Sequence, residues 1–383
     1  MAKSTTMRLR GLWFSLHKWI GLSLAILIIP IVLSGAILVW HDWFDEALNP
    51  QRHQVTSGAP ALPPSAYAAS AMAALGPGER IASLRYPDAG ESGPILVTAV
   101  ELPREGMTAA RPQRTTLWLD PGTGRVLDKA SGNAGIIQFV HILHGSLTVP
   151  GWGRTIVGWV GVFMFFSCLT GLWLWWPLTG SVRRGLRWKR QNSTNANLHH
   201  LAGFWVALPL AMLSFTGFWI SFPSVFGTFE ASRPKSGEAA DRARAQRAVP
   251  LTETATTVDA ALAAAAPRAP GPLVTIAWPT SQSRAWRIGF AGDGGPAEIV
   301  VDAATAAVAP PEPPRPETNA RLMRRLHDGT GMGPVWRVII FLAGLVPALL
   351  AVTGIVMWLR SRGWRAALAK KRGVGKLAPQ PAE

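Results

Sequence analysis

Cysteine is almost missing from this chain: Cys168 is the only one in 383 residues. Its isolation excludes internal disulfides, Cys-rich zinc sites, four-cysteine iron–sulfur clusters and the C-x-x-C-H attachment of c-type haem, so any haem must be held non-covalently. Acid is scarce too, with 22 Asp and Glu against 38 Lys and Arg. A nucleotide-binding signature is also lacking, since no G-x-G-x-x-G follows a strand-like run and the glycines from Gly292 onward open no helix.

The net charge of +16 does not point to nucleic acid, because the basic residues cluster beside apolar runs. Lys3, Arg8, Arg10 and Lys18 precede the first run; Arg183, Arg184, Arg187, Lys189 and Arg190 follow the second; Arg360, Arg362, Arg365, Lys370, Lys371, Arg372 and Lys376 follow the fourth. Of the 22 carboxylates, 21 fall in residues 42–154 and 223–337. This is the asymmetry of cytoplasmic membrane anchors touching anionic lipid, with both termini inside and the two long segments outside.

What the sequence does have is four uncharged apolar runs, residues 19–40, 155–178, 201–226 and 338–359. Each is long enough for a hydrocarbon core of about 30 Å. The first is too long for a cleaved signal and reads as a retained helix. The predicted organisation is an inner amino terminus and first span (1–44), an outer module (45–133), a pre-helix and second span (134–178), a basic inner loop (179–198), a third span (199–226), a second outer module (227–318), a pre-helix and fourth span (319–359), and a basic tail (360–383). Within each module, Ala-rich helices near 65–75 and 258–266 and strands near 95–100 and 285–290 predict a small α+β unit. A hairpin over 115–127 has a counterpart at 297–308 that keeps the aspartate but loses the glycines.

The halves repeat each other. His17 and His199, Ser34-Gly35 and Thr216-Gly217, and Gly21 and Gly203 are 182 residues apart; His144 and His327, and Thr170-Gly171 and Thr353-Gly354, are 183 apart. The fold class is thus a mainly α membrane protein, four helices built as two parallel repeats related by an axis along the membrane normal. His17 and His199 fall at the inner side, His144 and His327 at the outer, so each pair faces itself across the axis and can offer two axial ligands to one haem iron. Gly21 and Gly203, one turn after their histidines, leave room for a planar ring; Gly35 and Gly217 come five turns later and are expected beside the outer haem, and Gly171 and Gly354 beside the inner. Taken singly, each such histidine or glycine has an ordinary packing explanation. The four together, at matched offsets, favour two non-covalent haems with His17, His199, His144 and His327 as iron ligands.

The other histidines fail the repeat test, as His41, His53, His141 and His200 correspond to Pro223, Lys235, Arg324 and Lys18. His41 is the first reserve for an outer ligand or the electron exit, His141 a weaker one, and His200 points about 100° away from His199 on a helix. Trp173 and Trp175 are candidates to line the inner haem. Pro30, Pro209 and Pro347 are expected to kink their spans.

The motifs LHKWIGL, LHGSL, LHHLAGFW and LHDG, with a strand-Asp-Pro-x-Thr-Gly-strand hairpin between spans, resemble the PepSY-associated transmembrane family, and within it the inner-membrane ferrisiderophore (ferrioxamine) reductases. The resemblance covers nearly the whole chain, apart from the lost glycines of the second hairpin. It implies PepSY-like periplasmic modules, two haem b groups and outward electron transfer to a ferric siderophore in the bacterial periplasm, releasing Fe(II). The donor would be a quinol or a cytoplasmic reductase. Two other readings stand beside it: a haem-free binding or signalling protein, and a siderophore or metal transporter.

Overall fold

The computed structural model describes residues 2–88, 90–101, 113–131, 135–176, 182–188, 191, 193–227, 249–292, 297–310 and 318–375. Residues 177–178 of the second apolar run, Lys189 and Arg190 of the basic loop, residues 293–296 and 311–317 of the second outer module and Lys376 lie outside the described residues. In chain order the helices are α1 (Ala2–Val39), α2 (His41–Leu48), α3 (Pro64–Ala74), α4 (Ile136–Ser146), α5 (Gly153–Trp175), α6 (Val182–Gly185), α7 (Thr194–Ser221), α8 (Pro223–Phe226), α9 (Val258–Ala265), α10 (Asn319–Asp328) and α11 (Gly333–Gly375). The strands are β1 (Glu79–Arg85), β2 (Ile95–Glu101), β3 (Arg114–Leu119), β4 (Val126–Ser131), β5 (Leu273–Ala277), β6 (Ala285–Phe290) and β7 (Ala297–Asp302). They form two compact units, one of helices and one around a sheet.

In the helical unit, stretches Met7–Val39, Gly153–Trp175, Thr194–Ser221 and Gly333–Trp364 are long and apolar enough to cross a membrane. No more than 33% of the residues in their most apolar windows are buried within the protein. Ile26, Leu208 and Trp205 are 81%, 75% and 66% exposed. Faces this apolar need hydrocarbon as their solvent, and the chain is a multi-pass membrane protein. The helices start earlier than the apolar runs, because hydropathy marks where lipid begins and not where helix begins; α1 continues back through Arg10, whose guanidinium donates to the carbonyls of Leu174 and Trp176 at the end of α5.

The spans close a ring in which α1 packs on α5 and α11, and α7 packs on the same two, leaving α1 and α7 at opposite corners. Glycine makes the close contacts possible, and does so symmetrically. A Cβ on Gly161 of α5 would stand 3.3 Å from the Ser214 carbonyl of α7, and one on Gly344 of α11 would stand 3.1 Å from the Val32 carbonyl of α1. These glycines are 183 residues apart, and small residues at both crossings let backbones approach without a hydrophobic drive between helices. The repeat extends to the helix ends: Arg154 donates to Ile220 O at the end of α7, and Arg337 to Val39 O at the end of α1. Each cation satisfies orphan carbonyls at the negative end of a helix dipole.

In the other unit, the repeats' modules are halves of a single antiparallel sheet, in the order β4-β3-β2-β1-β5-β6-β7. The seam is β1 on β5, where Leu84 opposes Ile276 and both are fully buried. Strand β1 hides from sequence periodicity because a bulge between Ile81 and Ser83 spaces its buried residues, Ile81 and Leu84, by three rather than two. Helices α3 and α9 cover one face, with Tyr67, Ala71, Ala261 and Ala265 in the core beside Val97, Leu117, Ile288 and Val301. The weaker second hairpin is real but reduced: opposite β7 the described residues form one bridge, Val308 on Val301, flanked by bonds from Asp302 N to Ala307 O and from Ala309 N to Val300 O.

The turn of the first hairpin is organised by Asp120, which is buried and accepts bonds from the backbone and hydroxyl of both Thr56 and Thr123. Burial alone would raise its carboxyl, but these donors hold it down at about 2. Because the folded pKa lies below the unfolded one, this stabilisation is complete above the ordinary value of 3.8 and lost as pH falls through about 2. Thermal melts of Asp120→Asn should show a lower midpoint at neutral pH and a smaller further loss on acidification between about pH 4 and pH 2. In the second hairpin, Ala306 stands where Gly124 stands in the first, and keeps its left-handed backbone, φ +58° against +71°. Alanine there costs about 1 kcal/mol or more, so Ala306→Gly should raise the stability of the full chain by roughly that amount in denaturant titration.

Candidate metal centre

Four histidine rings lie in the helical unit as two facing pairs. His17 of α1 and His199 of α7 have ring centroids 6.4 Å apart and planes at 81°. His144 of α4 and His327 of α10 are 6.0 Å apart with planes at 42°. Two imidazoles on opposite sides of one metal, at about 2.0–2.1 Å each, place their centroids about 6.4 Å apart. An edge-to-face ring contact gives similar spacing, so distance alone does not define a centre.

What distinguishes these rings is how they are held. His17 Nδ1 lies 3.1 Å from Thr170 Oγ1 and 3.1 Å from Ser167 O. His199 Nδ1 is 3.0 Å from Thr353 Oγ1, and His327 Nδ1 is 2.9 Å from Thr216 Oγ1. His144 Nδ1 takes Ile31 O at 2.8 Å, with Ser34 Oγ farther away at 3.5 Å. Every one of these hydroxyls gives its own proton to carbonyls three and four residues back on its helix, as Thr353 does to Leu350 and Leu349. A hydroxyl so committed, like a carbonyl, can only accept from the ring. Nδ1 therefore carries the imidazole proton at all four positions, and Nε2 keeps its lone pair. Burial lowers the pKa of His144 and His327, which sit on helices outside the four spans; His327 falls to about 4, with His144 adding to the effect.

The glycine after each hydroxyl completes the seat. A Cβ on Gly35 would meet His144 Cε1 at 2.8 Å, one on Gly217 His327 Cε1 at 3.1 Å, one on Gly171 His17 Cε1 at 3.2 Å, and one on Gly354 His199 Cε1 at 3.7 Å. These glycines thus lie against histidine rings, a narrower place than the haem-flanking one expected from spacing. Gly21 and Gly203 stand beside open space, with nothing within 4 Å of a Cβ. His17 and Gly35 are 18 residues apart on α1, about 27 Å of helix rise, so the two pairs are near opposite ends of the bundle.

No group of three or more His, Cys, Asp or Glu side chains placed to hold a metal ion is present among the described residues. Two neutral imidazoles are too few for the usual protein-only metal site of three or four ligands, but they match a cofactor that brings four equatorial nitrogens of its own. The donor set, the fixed tautomer and the open space at Gly21 and Gly203 fit haem b.

The remaining histidines are elsewhere. His41 and His141 pair with each other. His200 turns from His199 and stacks on Trp175, at 5.9 Å and 25°. Trp175 is itself buried against Phe204, whereas Trp173 is 55% exposed on the outer face of α5. His53 lies 3.7 Å from Asp45 in the sheet unit. The role of the hydroxyls is the feature that sequence reasoning leaves vague: as helix residues they have several possible partners, although the Ser/Thr-Gly dipeptide recurs four times in register with the histidines.

A duplicated four-span bundle with two facing histidine pairs, and an α+β sheet to which both repeats contribute, defines the class of this membrane protein. The chain belongs to the family described as the PepSY-associated TM region, whose model matches residues 14–361. No curated protein matches it.

The seats grade by clearance, which gives a stability test. Gly35→Ala should destabilise the chain by about 1–3 kcal/mol through overpacking against His144, whereas Gly354→Ala should be nearly neutral. Thermal melts in one detergent would compare them.

Proposed function

We propose that this protein is a di-haem b electron carrier of a bacterial inner membrane, with inner termini and a periplasmic sheet unit, that reduces ferric siderophore and releases Fe(II). The observation that carries the proposal is the fourfold Nδ1 anchoring of rings facing in two pairs. His17 and His199 would hold one haem, His144 and His327 the other. Bound haem supplies one-electron cycling between Fe(III) and Fe(II). The chain's own part is to keep each imidazole proton on Nδ1, to fix the ring plane against glycine, and to exclude water. Held by a histidine pair, each haem would carry electrons and would not bind oxygen. The substrate reading rests on resemblance to ferrioxamine reductases and on coordination chemistry: hard oxygen ligands grip Fe(II) less well than Fe(III), so reduction loosens the metal. The donor would be a membrane quinol or a cytoplasmic reductase.

A second reading needs less chemistry: a haem-free PepSY-type binding or signalling protein, or a siderophore or metal transporter. The family match favours it, since its description names no cofactor. The sheet unit also has an open cavity of about 360 Å³, lined in part by Pro60, Leu62, Tyr86, Leu262 and Leu273.

Pyridine haemochrome assay of purified protein separates the two, with two haem b per chain expected. His17→Ala and His144→Ala should each lower that to about one. Haem-free protein, or two haems retained in both variants, would remove the proposal.

A further inference from the structure

A third histidine pair lies outside the duplicated scheme. His41, where α1 gives way to α2, and His141 of α4 have ring centroids 6.3 Å apart and planes at 76°. His41 Nδ1 is 2.9 Å from Leu38 O. A carbonyl only accepts, so this nitrogen carries the proton and Nε2 is the ligand-type nitrogen, as at the other four rings. The spacing matches two imidazoles on opposite sides of one metal, about 6.4 Å, as an edge-to-face contact also does.

Three features set the pair apart. Both residues are exposed, whereas His17, His144, His199 and His327 are not. Among the described residues no glycine packs against either ring, as one does against each of the other four. The repeat equivalents are Pro223 and Arg324, so a neutral remnant of duplication does not account for the pair.

We infer that His41 and His141 form a site for an exchangeable divalent first-row transition-metal ion, whose other positions are filled by water or by ligands the ion brings. Two neutral imidazoles suit borderline ions such as Fe(II), Cu(II) and Zn(II), and exposure lets the ion enter and leave. His141 is one helical turn from His144. In the part that rests on the proposed function, the ion is Fe(II) passing from oxygen to nitrogen ligands beside the outer centre.

The test is titration of oxidised, full-length protein with Cu(II), the tightest-binding ion of the series, by calorimetry and electron paramagnetic resonance. Wild type should bind one Cu(II) at a site showing two imidazole nitrogens. His41→Ala and His141→Ala should each weaken that binding about tenfold or more and leave one nitrogen coupling, whereas His53→Ala should not. Should either alanine variant fail to fold, His41→Gln or His141→Gln takes its place. Unchanged copper affinity in both variants, or a single-nitrogen spectrum in wild type, overturns the inference. Because copper is read separately from haem, a haem-free chain that still binds Cu(II) here keeps this site and loses only its link to the redox reading.

Discussion

The position of one proton on each of four imidazoles is the constraint on which the rest depends. A histidine in a membrane bundle must satisfy both ring nitrogens or leave one for a ligand. Here the choice is made by a Ser or Thr hydroxyl whose hydrogen is already donated to its own helix, or by a backbone carbonyl, as Ile31 O is for His144. Neither can donate back. The ring is therefore held by its Nδ1 edge and offers Nε2, and the adjoining glycine lets its Cε1 edge lie against the helix backbone. The same arrangement at four places on four different spans argues for a shared chemical demand, because packing alone does not require one tautomer.

Duplication supplies the framework that brings these seats into pairs. Glycine crossings at Gly161 and Gly344 and arginine caps at Arg154 and Arg337 recur at the repeat spacing. The sheet obeys the same symmetry, with β1 and β5 meeting at its centre. Among the differences between the repeats, the counterpart of β4 is reduced to a bridge at Val308, and Ala306 stands in place of Gly124. All four histidines and their seats are retained.

Much of this was legible in the sequence. Apolar length located the spans, and equal offsets located the histidine pairs. Three things were not legible, each for a physical reason. The bulge in β1 removed the alternation that marks a strand, so the joining of the modules into one sheet could not be read from residues 79–85. The hydroxyls beside the glycines had too many possible partners on a helix. The His41–His141 pair broke the repeat, so the symmetry that exposed the other four obscured it.

Geometry also fixes what the proposed centres should look like to a magnetic probe. Near-perpendicular imidazoles, as in His17 and His199 at 81°, give low-spin ferric haem an extremely anisotropic signal, and the 42° of His144 and His327 a less anisotropic one. Low-temperature electron paramagnetic resonance of the oxidised protein should therefore show two distinct low-spin ferric signals of unequal anisotropy. Spectra with no low-spin haem signal, or with high-spin iron only, would contradict the account.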